Sequence, residues 1–249
     1  MLTCNNLAQG YSARTAVFAD ICLSCGRGIT VLLGQNGAGK TTLLRTIVGQ
    51  LKPRGGNVML GEHDVYDRSF ARERSRRIGY LPQRVTFDPR MKVREFVGYI
   101  GWMRSLAKAE VARDIDRVLS ELALTDLAEK KMGEVSGGQV QRAGLAAATI
   151  GSPDVVVLDE PTVGLDPVQR VEVRRLISAG LAPTTILSTH LIEDVVHLSP
   201  RVIVLAGGEI ALDGSVADLE ACADGSLDGM SRAESGFARL VSQSGVVAS

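Results

Sequence analysis

The chain has 249 residues, with 28 Lys plus Arg against 28 Asp plus Glu, so its formal net charge is zero. That balance argues against a general nucleic-acid binder, which carries a basic excess. A content of 45% hydrophobic and 22% charged residues excludes disordered, collagen-like and coiled-coil chains.

This length fits one large domain, or one domain carrying a sub-domain. Such a chain buries roughly 70–75% of its unfolded surface, so its core needs neither disulfides nor metal. No stretch approaches 18 uninterrupted apolar residues, so no membrane span is predicted. Met1-Leu2-Thr3-Cys4-Asn5-Asn6 lacks the basic and apolar regions of a signal peptide. The cysteines are Cys4, Cys22, Cys25 and Cys222. Cys22 and Cys25 form a C-x-x-C, but no second ligand pair accompanies them, and the alternation around them reads as small residues in a strand. A reduced, cytoplasmic protein is expected.

In chain order, the first 30 or so residues read as short strands with turns, closing at Gly26-Arg27-Gly28. Ile29-Thr30-Val31-Leu32-Leu33 is a continuous apolar run suited to a buried central strand. A Gly-rich segment, 34–39, follows, then a helix over about 40–50 with Leu43, Leu44, Ile47 and Val48 on one face. Pro53 and Gly55-Gly56 are taken to end it. The run Arg68, Arg72, Arg74, Arg76, Arg77 has only Phe70 as an aromatic neighbour and reads as a solvated face. From 93 to 123 the pattern is helical, with Val111, Ile115, Val118, Leu119 and Leu122 on one side.

A helix over 139–150 is predicted next, then a buried strand Val155-Val156-Val157-Leu158 ending at Asp159-Glu160-Pro161. A helix near 168–179, a strand at 184–188, a helix from about 191 and strands near 202–205 and 209–212 complete the core. Strands alternating with helices predict a mostly parallel sheet. The tail, 224–249, is rich in Ser and Gly, yet Ser231-Arg232-Ala233-Glu234 fits a capping box and predicts a short helix with Phe237, Leu240 and Val241 as its stripe.

Gly34-Gln35-Asn36-Gly37-Ala38-Gly39-Lys40-Thr41 matches G-x-x-x-x-G-K-[ST]. Glycines let main-chain N–H groups converge on an anion where side chains would block approach. The helix that starts at Lys40 adds its positive end. Lys40 suits the β- and γ-phosphates of a nucleotide, and the Thr41 hydroxyl suits Mg²⁺. Asp159 and Glu160 leave the end of a buried strand, the edge where parallel sheets bind ligands. Neighbouring residues there point in different directions. One carboxylate, Asp159, is therefore assigned to Mg²⁺, through water, and Glu160 to the attacking water as general base.

Further motifs fall in the order of the ABC-type ATPases, and the chain resembles that family over roughly residues 2–221. Tyr11 resembles the aromatic residue that stacks on adenine; on its own it reads rather as a half-buried strand-edge tyrosine. Tyr80-Leu81-Pro82-Gln83 is similar to the Q-loop, with Gln83 touching Mg²⁺ or the water. Val135-Ser136-Gly137-Gly138-Gln139 is similar to the signature, with Val where Leu is usual. The same Ser136 and Gln139 fit a capping box that serves only their own helix. Val163-Gly164-Leu165-Asp166 resembles the D-loop and His190 the switch histidine.

The resemblance implies an α/β fold with a P-loop NTPase core and mostly parallel sheet, an N-terminal antiparallel β part and a helical sub-domain inserted at about 84–150, all within 1–223. It implies ATP and Mg²⁺ as ligands, with phosphates held by 34–39, Lys40, Thr41 and Thr42 and a partner's nucleotide met by Ser136, Gly137, Gly138 and Gln139. It implies catalytic Glu160, His190, Gln83 and Lys40, and metal contacts from Thr41, Gln83 and Asp159. The partners implied are a second ATPase subunit and separate membrane-spanning subunits, with no nucleic acid, on the cytoplasmic face of the cell membrane. The wording of 78–83 and 160–167 is closest to export-type members. The alternative is a soluble ABC-type ATPase of repair, translation or cofactor assembly; repair-type members carry long coiled-coil insertions, and here only residues 84–135 separate Gln83 from Ser136.

Overall fold

A computed structural model describes residues 1–12, 15–198, 201–224 and 229–244; at positions 11, 12 and 15 only the backbone is described. The fold is α/β, and the chain divides into two compact units, Met1–Asp67 with Ile186–Ser249, and Arg68–Thr185. The first unit opens with β1 (Leu2–Ser12), β2 (Thr15–Cys25), β3 (Gly28–Leu33), α1 (Lys40–Ile47), β4 (Gly55–Leu60) and β5 (His63–Asp64). The second unit holds α2 (Ala71–Arg77), β6 (Ile78–Leu81), α3 (Val93–Met103), α4 (Lys108–Glu121), α5 (Gly137–Thr149), β7 (Val155–Asp159) and α6 (Pro167–Ser178). β8 (Thr184–Thr189) carries the chain back to the first unit, which ends with α7 (Ile192–Leu198), β9 (Arg201–Ala206), β10 (Glu209–Gly214), α8 (Val216–Ala221) and α9 (Arg232–Gln243).

Two sheets build the first unit. One is antiparallel, in the order β2-β1-β4-β5. In the other, β9 lies between β10, antiparallel, and β3, parallel. Residues Val31 to Leu33 and Val202 to Ala206 are buried throughout, as parallel strands covered on both faces require. Leu43, Leu44 and Ile47 bury one face of α1. In the second unit β6 and β7 pair in parallel, Ile78 opposite Val155 and Leu81 opposite Leu158. Every residue of β7 is buried.

Four local expectations need correction. The first 25 residues form two 11-residue strands rather than several short ones. Asn6 and Asp20 have φ of 48° and 59°. They sit at irregularities of the β1–β2 ladder, where the Asn6 side-chain amide donates to Asp20 at 2.5 Å. α1 ends at Ile47, and Gly55-Gly56 open β4 instead of closing the helix.

The stretch 93–123 is helical as expected, in two helices, α3 and α4, parted where Ser105 takes a φ of 64°. The Arg run is not a wholly solvated face. Arg76 donates to Glu110 and to the Ser105 carbonyl, and Arg77 bonds Asp154 and Glu73. The Arg76 guanidinium and the Ala107 N–H hold the Glu110 carboxyl down at about 2. In the tail, Ser231 and Glu234 cap α9 reciprocally, and the buried face of that helix is mostly of small residues, Ala233, Ser235, Gly236 and Val241.

Candidate active site

The phosphate loop begins where β3 ends in fully buried Leu33. It turns through a bond from Ala38 N–H to the Gln35 carbonyl. Gly39 has a φ of 95°, and a Cβ there would lie 2.7 Å from Val17 Cγ1, so both conformation and space demand glycine. Gly39 is also the N-cap of α1, which has no side-chain cap and no acidic residue in its first turn. The positive end of the helix therefore faces the loop without a neutralising carboxylate.

Gln35, Asn36 and Gly37 are exposed, and Ala38, Thr41 and Thr42 are half-buried. Lys40 is only 5% exposed. Its ammonium donates to the Gly34 carbonyl at 2.6 Å and the Gln35 carbonyl at 3.0 Å, so the loop's own carbonyls hold the charge against the loop.

His190 is half-buried in the turn between β8 and α7. A fully buried Asp194 fixes that turn. Its Oδ2 accepts from the Thr189 hydroxyl at 2.9 Å, and the same hydroxyl accepts from Leu191 N–H at 3.0 Å. Sequence reasoning passed over Thr189 and Asp194; an acid placed five residues after a strand-end threonine was the available signal. Tyr11 lies near the end of β1, and its side chain is outside the described residues.

In the second unit, Asp159 is the last residue of β7 and 1% exposed; Glu160, next to it, is 6% exposed. Glu160 has a φ of 50°, a left-handed backbone that costs a non-glycine residue about 1–2 kcal/mol. The turn is braced from two sides. Val163 N–H returns to the Glu160 carbonyl, and the Gln141 side chain of α5 donates to the Pro161 carbonyl at 2.8 Å.

Gln83 stands two residues beyond β6, the parallel neighbour of β7. Its side-chain amide donates to Glu160 Oε2 at 3.0 Å. Two residues 77 positions apart thus meet at one sheet edge. Ser136 and Gly137 are exposed at the start of α5. Ser136 Oγ accepts from Gln139 N–H, and Gln139 Oε1 accepts from Ser136 N–H, so the capping box is formed. Asp166 caps α6 through Gln169 N–H at 2.8 Å.

The family model for ABC transporters matches residues 19–163, more than half of the chain. The chain belongs to the ABC transporter family. The matched span includes the phosphate loop, Gln83, Ser136 and both acids of the turn, and it stops short of His190. An ABC transporter ATP-binding protein of Synechocystis, sll0415, is 37% identical over 76% of this cassette, which spans 53% of that relative's length. The phosphonates import ATP-binding protein PhnC 1 of Rhodopseudomonas palustris is 33% identical over 88% of the cassette and 83% of its own length. The Nod factor export ATP-binding protein I of Burkholderia orbicola is 38% identical over 74% and 60%. Among solved structures, cbiO1 of Clostridium perfringens, part of the ABC transporter complex cbiONQ, superposes with a TM-score of 0.77 at 28% identity, covering 88% of the cassette and 90% of that chain.

Thr41 in the first unit, and Asp159 and Gln83 in the second, each carry a hard oxygen atom of the kind Mg²⁺ takes. Among the described residues no group of three or more His, Cys, Asp or Glu forms a dedicated metal cage.

Proposed function

We propose that this cassette is the ATP-hydrolysing subunit of an ABC transporter, dependent on Mg²⁺ and acting in export. The observation that carries the proposal is Glu160. It is a carboxylate 6% exposed, at the end of a buried strand, with Gln83 bonded to it at 3.0 Å. A carboxylate positioned at such a sheet edge is the kind of group that serves as general base.

In this reading Tyr11 stacks on the adenine, and the main-chain amides of Gly34, Gln35, Asn36, Gly37, Ala38 and Gly39 surround the phosphates with Lys40, Thr41 and Thr42. His190 donates to the γ-phosphate. Glu160, helped by Gln83, takes a proton from water as the water oxygen bonds to the γ-phosphorus and the bond to the bridging oxygen of ADP breaks. Mg²⁺, held through Thr41, Asp159 and Gln83, supplies neutralisation of phosphate charge. Ser136, Gly137, Gly138 and Gln139 meet the nucleotide of a second ATPase subunit, so two cassettes enclose two ATP molecules and separate after hydrolysis.

Among the described residues no helix is long and apolar enough to cross a membrane. The proposed partners are separate membrane-spanning subunits, with the cassette peripheral on the cytoplasmic face. The Q-loop and the helical part, about 83–135, supply their docking surface. There Tyr99 stacks on Trp102 with ring centroids 5.9 Å apart, and Trp102 is 67% exposed. Export rests on the wording of 78–83 and 160–167 alone, since relatives of both directions match the chain.

The test is phosphate release by the full chain with ATP. Release that depends on added Mg²⁺ and falls to background with a chelator supports the reading. No release, or release indifferent to divalent cations, refutes it.

A further inference from the structure

In the second unit Arg104 is buried with no carboxylate partner among the described residues. Arg104 follows α3 directly, is 8% exposed, and has burial pushing its guanidinium down to about 10, which leaves it charged at neutral pH. Among the described residues its hydrogen-bond acceptors are all main-chain carbonyls. Nε and Nη2 donate to the Ser75 and Arg76 carbonyls at 3.0 and 2.9 Å. Nη1 donates to Ala147 at 3.5 Å, Ala148 at 3.0 Å and Ile150 at 2.8 Å. Ser75 and Arg76 belong to the last turn of α2; Ala147 and Ala148 belong to the last turn of α5, and Ile150 is its C-cap. These are the carbonyls a helix leaves without internal partners, at its negative end. One planar fork satisfies two helix termini at once, a geometry a lysine ammonium does not reproduce.

Both clasped helices lead to residues of the proposed site. α5 has 13 residues, roughly 20 Å at 1.5 Å per residue, and its far end carries Ser136. Midway, Gln141 bonds the Pro161 carbonyl beside Glu160. α2 ends at Arg77 and β6 starts at Ile78, so the α2 terminus continues without a break into the strand that delivers Gln83. The clasp is tight on both sides. The Ser75 hydroxyl shares its proton between the Arg72 carbonyl at 2.7 Å and the Arg104 carbonyl at 3.1 Å. In β6, a Cβ on Gly79 would lie 1.9 Å from the Ala148 carbonyl, so only glycine lets the strand approach the clasped end of α5.

We propose that Arg104 is a positioning residue for hydrolysis. By holding the C-termini of α2 and α5 together, it sets Gln83 against Glu160 and fixes where the helix start at Ser136 stands. The proposal rests on the ATPase reading above. It touches no residue of the phosphate loop, so it separates turnover from nucleotide binding.

The experiment compares the full parent chain with Arg104→Lys and Ser75→Ala. Circular dichroism and the emission of Trp102, the chain's one tryptophan, verify folding. Arg104→Lys keeps the charge but reaches only one helix end, so its kcat per folded molecule falls about tenfold or more while its Kd for ATP stays within about threefold of the parent. Ser75→Ala shifts kcat in the same direction by a smaller factor, and decides the matter if Arg104→Lys does not fold. A kcat within about twofold of the parent in the folded variants overturns the proposal, and so does a Kd that weakens in step with kcat. An inactive parent overturns the ATPase reading and this proposal together; an active parent with fully active variants overturns this one alone.

Discussion

The phosphate loop and the acidic turn are built by opposite means. The loop works with main chain: glycines, an uncapped helix start and a lysine held by two loop carbonyls, all within residues 34–42. The acidic turn works with side chains gathered from far apart: Glu160 in a left-handed backbone, Gln83 from a neighbouring strand, and Gln141 bracing the turn from a helix. A local main-chain cradle needs only the right residues in a row. A side-chain constellation needs the fold around it. Binding should therefore fail at the first region and turnover at the second.

The sharpest way to break this contrast within the loop is Lys40→Ala. A charge-assisted bond to phosphate is worth about 1.5–3 kcal/mol, so ATP affinity by calorimetry should weaken about 10–100-fold. Affinity within twofold of the parent would place the grip elsewhere. Gln83→Ala sharpens the other side. Loss of one bond to a carboxylate predicts a kcat about tenfold lower with unchanged ATP affinity in the absence of Mg²⁺; a parallel loss of that affinity would merge the two regions into one function. The smallest effect is expected far from both. Ser231→Ala removes the cap of α9 and should cost about 1 kcal/mol, a fall in Tm of about 2–4 °C, with kcat and Kd untouched.

The same contrast explains what could be read from the amino-acid order. The strand, loop and helix at 29–47 were legible because apolar runs, glycines and a lysine sit in sequence. So were β7 and the capping box at Ser136, for the same local reason. The bond between Gln83 and Glu160 was not, since nothing in either segment announces that β6 and β7 are neighbours in register. Resemblance to a family supplied Gln83 as a candidate, yet its partner came only from the fold. Arg104 was invisible for a deeper reason: its acceptors are carbonyls, which every residue has. The two long strands β1 and β2 were read as several short ones, because nothing in their residues announces that the chain runs on through the irregularities at Asn6 and Asp20.

The most direct test is Glu160→Gln in the full chain, followed by calorimetric titration with ATP and by phosphate release in Mg²⁺. The amide keeps the shape of the side chain but cannot take a proton. The account predicts ATP binding like the parent's and release slowed by about 10²–10⁴-fold. Release at close to the parent rate would show that another group activates the water, and would contradict the assignment of the acidic turn.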